Sequence, residues 1–360
     1  MKAVIKRELK NYLKNPVLWL GLIVVILMLY QMLNPYLKIH YFQSEREMEG
    51  LHPKNIDDAD ISEGYVESTE EEQMELACRL VKKEMVKMLG MKEQEAEQIL
   101  NAMLQKKMSA EEIEAELIDK YEFYGKYGIK YYFQISEYRK ASVEEANQYI
   151  DENMKEHSFS FYFSRKFADF CGLLMGFFSA VLLAFLFIRD TRKDMYELLH
   201  TKPVSAAGYV CGKIGGGFLA MMVVWGILVM IFGGLCEFYG RRAGFPVSMW
   251  DFLKTAAGYI LPNMLMITCI YAAAALIFKN PLPAVPLIFL YIIYSNMGSR
   301  GPDGEYGYYG RPFAIMVRFP GKFFDTSPPP MALLNQIALI FAAFLIMILT
   351  TEIWRRRRVY

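Results

Sequence analysis

Long apolar runs and one long polar stretch divide the chain. Apolar residues dominate positions 17–33, 167–188, 209–236, 256–278, 282–297 and 331–354. A helix needs roughly 20 consecutive apolar residues to cross the hydrocarbon layer, so these windows predict six membrane spans, the first and fifth being the shortest. The polar stretch, residues 38–165, falls between the first and second spans. Its apolar positions recur three and four apart, as Ile113, Leu117 and Tyr121 do. The pattern predicts an all-α polytopic membrane protein with six transmembrane helices and a mainly helical extracytoplasmic domain inserted between helices 1 and 2.

Start and stop signals sharpen the polar stretch. Thr69 with Glu72, Ser109 with Glu112 and Ser142 with Glu145 have capping-box spacing, in which hydroxyl and carboxylate satisfy the free amides of a helix start. Gly90 and Gly125 stand where C-caps belong. Helices are predicted over 70–89, 93–107, 110–124 and 143–156, with "IKYYFQI" (129–135) as one short strand.

Composition removes the soluble classes, since 54% of the 360 residues are hydrophobic, with 25 Phe and 24 Tyr. Five basic residues precede the first apolar run, as in a signal peptide, but no small-residue cleavage site follows, which favours a retained anchor. Short segments expected inside, together with Lys213, hold 15 Lys and Arg against 7 in the short outer loops, placing both termini in the cytosol. Residues 38–165 then lie outside, where 17 basic and 28 acidic residues give a net charge of −11.

The apolar runs exclude several chemistries. Ionisable residues such as Asp169, Lys213, Glu237 and Glu352 sit at span ends, which argues against a proton-driven carrier. All four His fall outside the spans, no H-E-x-x-H or G-x-S-x-G occurs, and no Gly-Lys has phosphate-loop spacing. The sequence offers no catalytic, cofactor-binding or metal-binding residue and no nucleic-acid surface. Five Cys, only Cys78 of them in the outer domain, give that domain no disulfide framework.

The most informative polar interruption is "RDTRKDMYELLHTKPVSAAGYVCGKIGGGF", residues 189–218. The spacing of Thr191 and Asp194 predicts the capped start of a short cytosolic helix through His200, with Met195, Leu198 and Leu199 near one face and Arg192, Lys193 and Glu197 around it. Pro203 ends that helix and Ser205 caps the next. An apolar ridge with charged flanks suits docking in a partner's groove, and an ordinary solvated loop helix is the alternative.

The segment "MYELLHTKPVSAAGYVCGKIGGGFLAMM" resembles the link between the second and third spans of type-2 ATP-binding-cassette transporter permeases. The opening "MKAVIKRELKNYLKNPVLWL" is similar to their amphipathic elbow helix, with Val4, Ile5, Leu9, Tyr12 and Leu13 opposite Lys6, Lys10 and Lys14. The resemblance implies a permease subunit of a bacterial exporter, with residues 1–16 as cytosolic elbow, 17–37 as first span, 166–354 as spans 2–6 and 355–360 as basic cytosolic tail. It implies further that Arg192, Lys193, Asp194, Met195, Glu197, Leu198, Leu199 and Pro203 of the coupling segment 189–208 touch a cytosolic ATPase. ATP and Mg would be held by that partner and not by this chain, and a second permease subunit, the same chain or a sister, would complete the path.

The outer loop 298–330 departs from the family's usual pair of apolar re-entrant helices, being rich in Gly, Tyr and Pro. Gly172 with Gly176, and Gly212 with Gly216, have the small-xxx-small spacing of close helix packing, either within one subunit or at a dimer seam. The aromatic runs "FSFYFSRKF" and "EYGYYGRPF" fit an interfacial belt or a cargo contact, and the terminal arginines fit anionic lipid. The expected role is export of a peptide or amphipathic compound across a bacterial plasma membrane; the alternative is a non-transporting receptor or scaffold that uses the outer domain to bind a ligand or envelope protein.

Overall fold

The structure, a computed structural model of the chain, describes residues 1–51, 59–186, 204–297, 299–300, 306–307 and 310–356. Its helices, in chain order, are α1 (Lys2–Leu13), α2 (Pro16–Leu37), α3 (Glu45–Glu49), α4 (Glu70–Leu89), α5 (Glu93–Gln105), α6 (Ala110–Tyr121), α7 (Ile129–Gln134), α8 (Val143–Glu156), α9 (Phe159–Leu182), α10 (Ala206–Arg242), α11 (Met249–Ile277), α12 (Ala284–Asn296) and α13 (Ala332–Arg356). Two small antiparallel ladders join β1 (Tyr65–Glu67) to β2 (Tyr138–Lys140) and β3 (Ser299–Arg300) to β4 (Tyr306–Gly307). The chain forms two compact units, one of Met1–Lys38 with Glu156–Tyr360 and one of Ile39–Lys155.

In the first unit α2, α10, α11 and α13 are long and apolar enough to cross a membrane. Four helices among the described residues meet that standard, two fewer than the six spans expected. The expected fifth span is α12, whose 13 residues reach only about 20 Å at 1.5 Å per residue, short of the roughly 30 Å hydrocarbon layer. The expected second span is α9, which carries Arg165, Lys166 and Asp169 in its first half and ends in a 3-10 turn over Leu183–Phe185.

Contacts fix how these helices run. Thr268 of α11 lies against Gly217 of α10 and Phe252 against Gly233, so the two helices are antiparallel. Phe167 packs on Phe252 with ring centroids 5.0 Å apart, and the Tyr271 hydroxyl donates to the Ala180 carbonyl, so α9 runs alongside α11 in the same direction. Trp354, at the end of α13, stacks on Tyr209 at the start of α10, which gives α13 that direction too. The aromatic run expected ahead of the second span opens α9, where Phe159, Phe163 and Phe167 are fully buried with Phe232 and Phe252.

The second unit closes around α4 to α7. Val81, Met85, Leu100, Ile113, Leu117, Ile129 and Phe133 share its core. Thr69 and Ser109 cap α4 and α6 in full capping boxes, and Ser142 and Glu145 exchange the same two bonds ahead of α8. Gly90 ends α4 in the left-handed region, as a C-cap glycine does. Two local expectations are corrected. "IKYYFQ" is the helix α7 and no strand, because Ile129, Tyr132 and Phe133 are all buried and lie three and four apart. Helix α6 stops at Tyr121 with Glu122 as its left-handed cap, so Gly125 serves the following turn instead.

Candidate functional site

The residues expected to touch an ATPase, Arg192, Lys193, Asp194, Met195, Glu197, Leu198, Leu199 and Pro203, lie outside the described residues. The residues that follow them are described, and they form a tight junction. Ser205 accepts a hydrogen bond from the Gly208 amide at 3.1 Å and so caps α10, as its position after Pro203 predicts. From there Tyr209, Gly212, Lys213 and Gly216 recur at helical spacing on buried positions of α10.

Helix α1 lies directly on that stripe. A Cβ at Gly212 would stand 2.7 Å from Val4 Cβ, and one at Gly216 would stand 2.4 Å from Glu8 Cβ, so only glycine admits α1 at this distance. Gly215 adds an ordinary contact, 3.4 Å from Ile5. The glycine pair Gly212 and Gly216 therefore meets a helix of the same chain. Gly176 likewise faces Ile292 and Met316 of this chain at 3.6 to 3.8 Å, while a Cβ at Gly172 meets nothing within 4 Å.

At the centre of the junction Lys213 Nζ bonds Glu8 Oε1 at 2.9 Å, with both residues buried. Taking two charges out of water is costly unless they pair closely, so this contact sets the register between α1 and α10. Glu8 escaped the sequence reading, which treated α1 as a purely interfacial helix with an apolar face. A signal existed: Lys213 is a cation just inside an apolar run, and such a cation demands a partner.

At the opposite end of the bundle the segment 310–331 is strapped to α9. Lys166 Nζ donates to the carbonyls of Gly321 at 2.6 Å and Phe319 at 3.3 Å, and Arg165 donates to the Thr326 carbonyl. Arg318 pairs with Asp169 and bonds Asn296 at the end of α12. The apolar centre of the strap, Ala314 to Val317, is buried, as are Phe319 and Phe323. Among the described residues no cluster of His, Cys, Asp or Glu has the make-up of a metal site, and all five cysteines are free.

Residues 140–295 match the family model described as ABC-2 family transporter protein. This stretch is similar to ABC-2 family transporter proteins. No curated protein and no solved structure matches the chain. The matched stretch, with the long apolar helices in and around it, indicates a multi-pass membrane protein that resembles a type-2 ATP-binding-cassette permease. Permeases of this kind are the membrane components of transporters, typically without an ATPase of their own, and work with an ATP-binding subunit. The matched residues take in the segment 189–208, Lys213 and Asp169, whereas Glu8 and the strap lie outside them.

Proposed function

We propose that the chain is the membrane-spanning permease subunit of an ATP-binding-cassette exporter in a bacterial plasma membrane. A separate cytosolic subunit hydrolyses ATP, and residues 191–200 are the coupling helix that receives its movement. Helices α9 and α12 complete six spans with the four long ones, both termini face the cytosol, and residues 38–165 stand outside. A peptide or amphipathic compound is the cargo, and a second copy or a sister chain forms the other half of the path.

The observation that carries this reading is the junction of α1 and α10. Its α10 side lies immediately after the coupling segment and within the residues matched to the ABC-2 family, α1 comes from outside them, and the buried ion pair on a glycine stripe makes the two helices move as one body. A push delivered at residues 191–200 is then passed to two helices at once.

Affinity purification of the tagged chain in mild detergent, with mass spectrometry and a vanadate-sensitive hydrolysis assay on the eluate, tests the reading. A stoichiometric nucleotide-binding subunit is the expected companion. Replacing Leu198 and Leu199 with Asp is expected to abolish that association while leaving membrane insertion intact. Retained association would remove the coupling role of this segment; a chain that always emerges alone and inactive would favour a receptor or scaffold.

A further inference from the structure

Beneath the strap the bundle holds polar groups that packing alone does not use. Ala168 of α9, Tyr259 of α11 and Ala332 of α13 pack in one cluster with Val317 and Phe319 of the strap. The three helices run in the same direction, so residues four further along each one form the next layer down. Those residues are Gly172, Asn263 and Gln336.

All three are buried. Asn263 donates through Nδ2 to the Tyr259 carbonyl at 2.6 Å, but its Oδ1 and both amide atoms of Gln336 meet no hydrogen-bond partner among the described residues. Gly172 leaves open space where its side chain would stand. The layer therefore combines two buried carboxamides, each able to accept and one with free donors, with room beside them. Burying such groups without partners is unfavourable, which is why native interiors seldom do it without a reason.

The layer carries no charge of its own, since Asp169 above it is paired with Arg318. A bare ion finds no counter-charge here, and a lipid tail makes no hydrogen bonds. A group that both donates and accepts while neutral is complementary. We propose that Gly172, Asn263 and Gln336 form a binding step for peptide groups of the exported cargo, roofed by Val317 and Phe319 of the strap. The proposal rests on the permease reading above and adds the chemistry that the path recognises.

Two probes test it on the full chain with its co-purified ATPase in vesicles: N-acetyl-tetraalanine amide and its fully N-methylated counterpart, which keeps the backbone but lacks the donors. The parent peptide is expected to stimulate vanadate-sensitive hydrolysis at least tenfold better than the methylated one. Gln336→Leu and Asn263→Leu are expected to bring the parent down to the methylated peptide's level, each relative to its own basal rate. Equal responses to the two peptides, no response, or wild-type discrimination in both variants would overturn the proposal. A second readout needs no ATPase. Gln336→Cys should react with a small water-borne methanethiosulfonate at least tenfold faster than Leu339→Cys, a fully buried apolar position on the same helix. Equal rates would rule out the step even if an ATPase co-purifies, whereas fast labelling without an ATPase would challenge the permease reading alone.

Discussion

The two units use charge in opposite ways. In the membrane-type unit the cross-element pairs join distant parts of the chain and are largely buried: Glu8 meets Lys213 across 205 positions and Asp169 meets Arg318 across 149. In the acidic unit many pairs are exposed and local, as Lys120 with Glu116 and Lys155 with Asp151, each four residues apart on one helix. Long-range buried pairs define which helix lies on which, because an unpartnered charge there is intolerable. Local exposed pairs add only tenths of a kcal/mol and trim helices that the apolar core has already positioned.

The sharpest way to break this contrast is to remove one partner of the buried pair. Lys213→Ala leaves Glu8 buried without its counter-charge and is expected to destabilise the unit by about 3–5 kcal/mol. The double change Glu8→Gln with Lys213→Met removes both charges and should recover most of that loss. Thermal unfolding of the purified chain in detergent reads both variants. A single variant as stable as the double would mean that the pair does not fix the seat of α1.

The second unit should instead be sensitive where it is apolar. Leu117 is fully buried in its core, and Leu117→Ala is expected to cost about 3 kcal/mol, whereas Lys120→Ala, at an exposed position on the same helix, is expected to change little. Hydrogen exchange at α4 to α7 in the full chain gives both values. Comparable losses at the two positions would erase the distinction.

How legible each region was in the sequence follows from the same contrast. Helices α4 and α8 begin and end where capping boxes and apolar spacing predict, because those signals act within a few residues. The strand expected at 129–135 failed because a run of aromatic and β-branched residues has no decisive period of its own; burial of Ile129, Tyr132 and Phe133 on one core decided it. The seat of α1 was half legible. Gly212 and Gly216 announced a close approach, but not which helix would make it. The layer of Asn263 and Gln336 was illegible, since two neutral residues 73 positions apart carry no shared signal until parallel helices bring them to one depth.

The smallest expected effect concerns the best-formed charge cluster of the acidic unit. Arg139 makes two bonds to Glu145, at 2.9 and 3.0 Å, and lies 3.0 Å from Glu72. The bonds from Arg139, followed by the Ser142 amide, hold the Glu145 carboxyl down to about 2, below its ordinary 4.5. A depressed carboxylate stabilises the fold fully above its ordinary value and loses that contribution as pH falls from about 4.5 through about 2. Glu145 is 47% exposed, so solvent screening limits the contribution to less than about 1 kcal/mol. Exchange protection at the first turn of α8, corrected for intrinsic rates, should therefore decline modestly across this window in the wild type and stay flat in Glu145→Gln. A large loss of the whole unit over the same window would mean that exposed charge governs it after all, and the contrast between the two regions would fall.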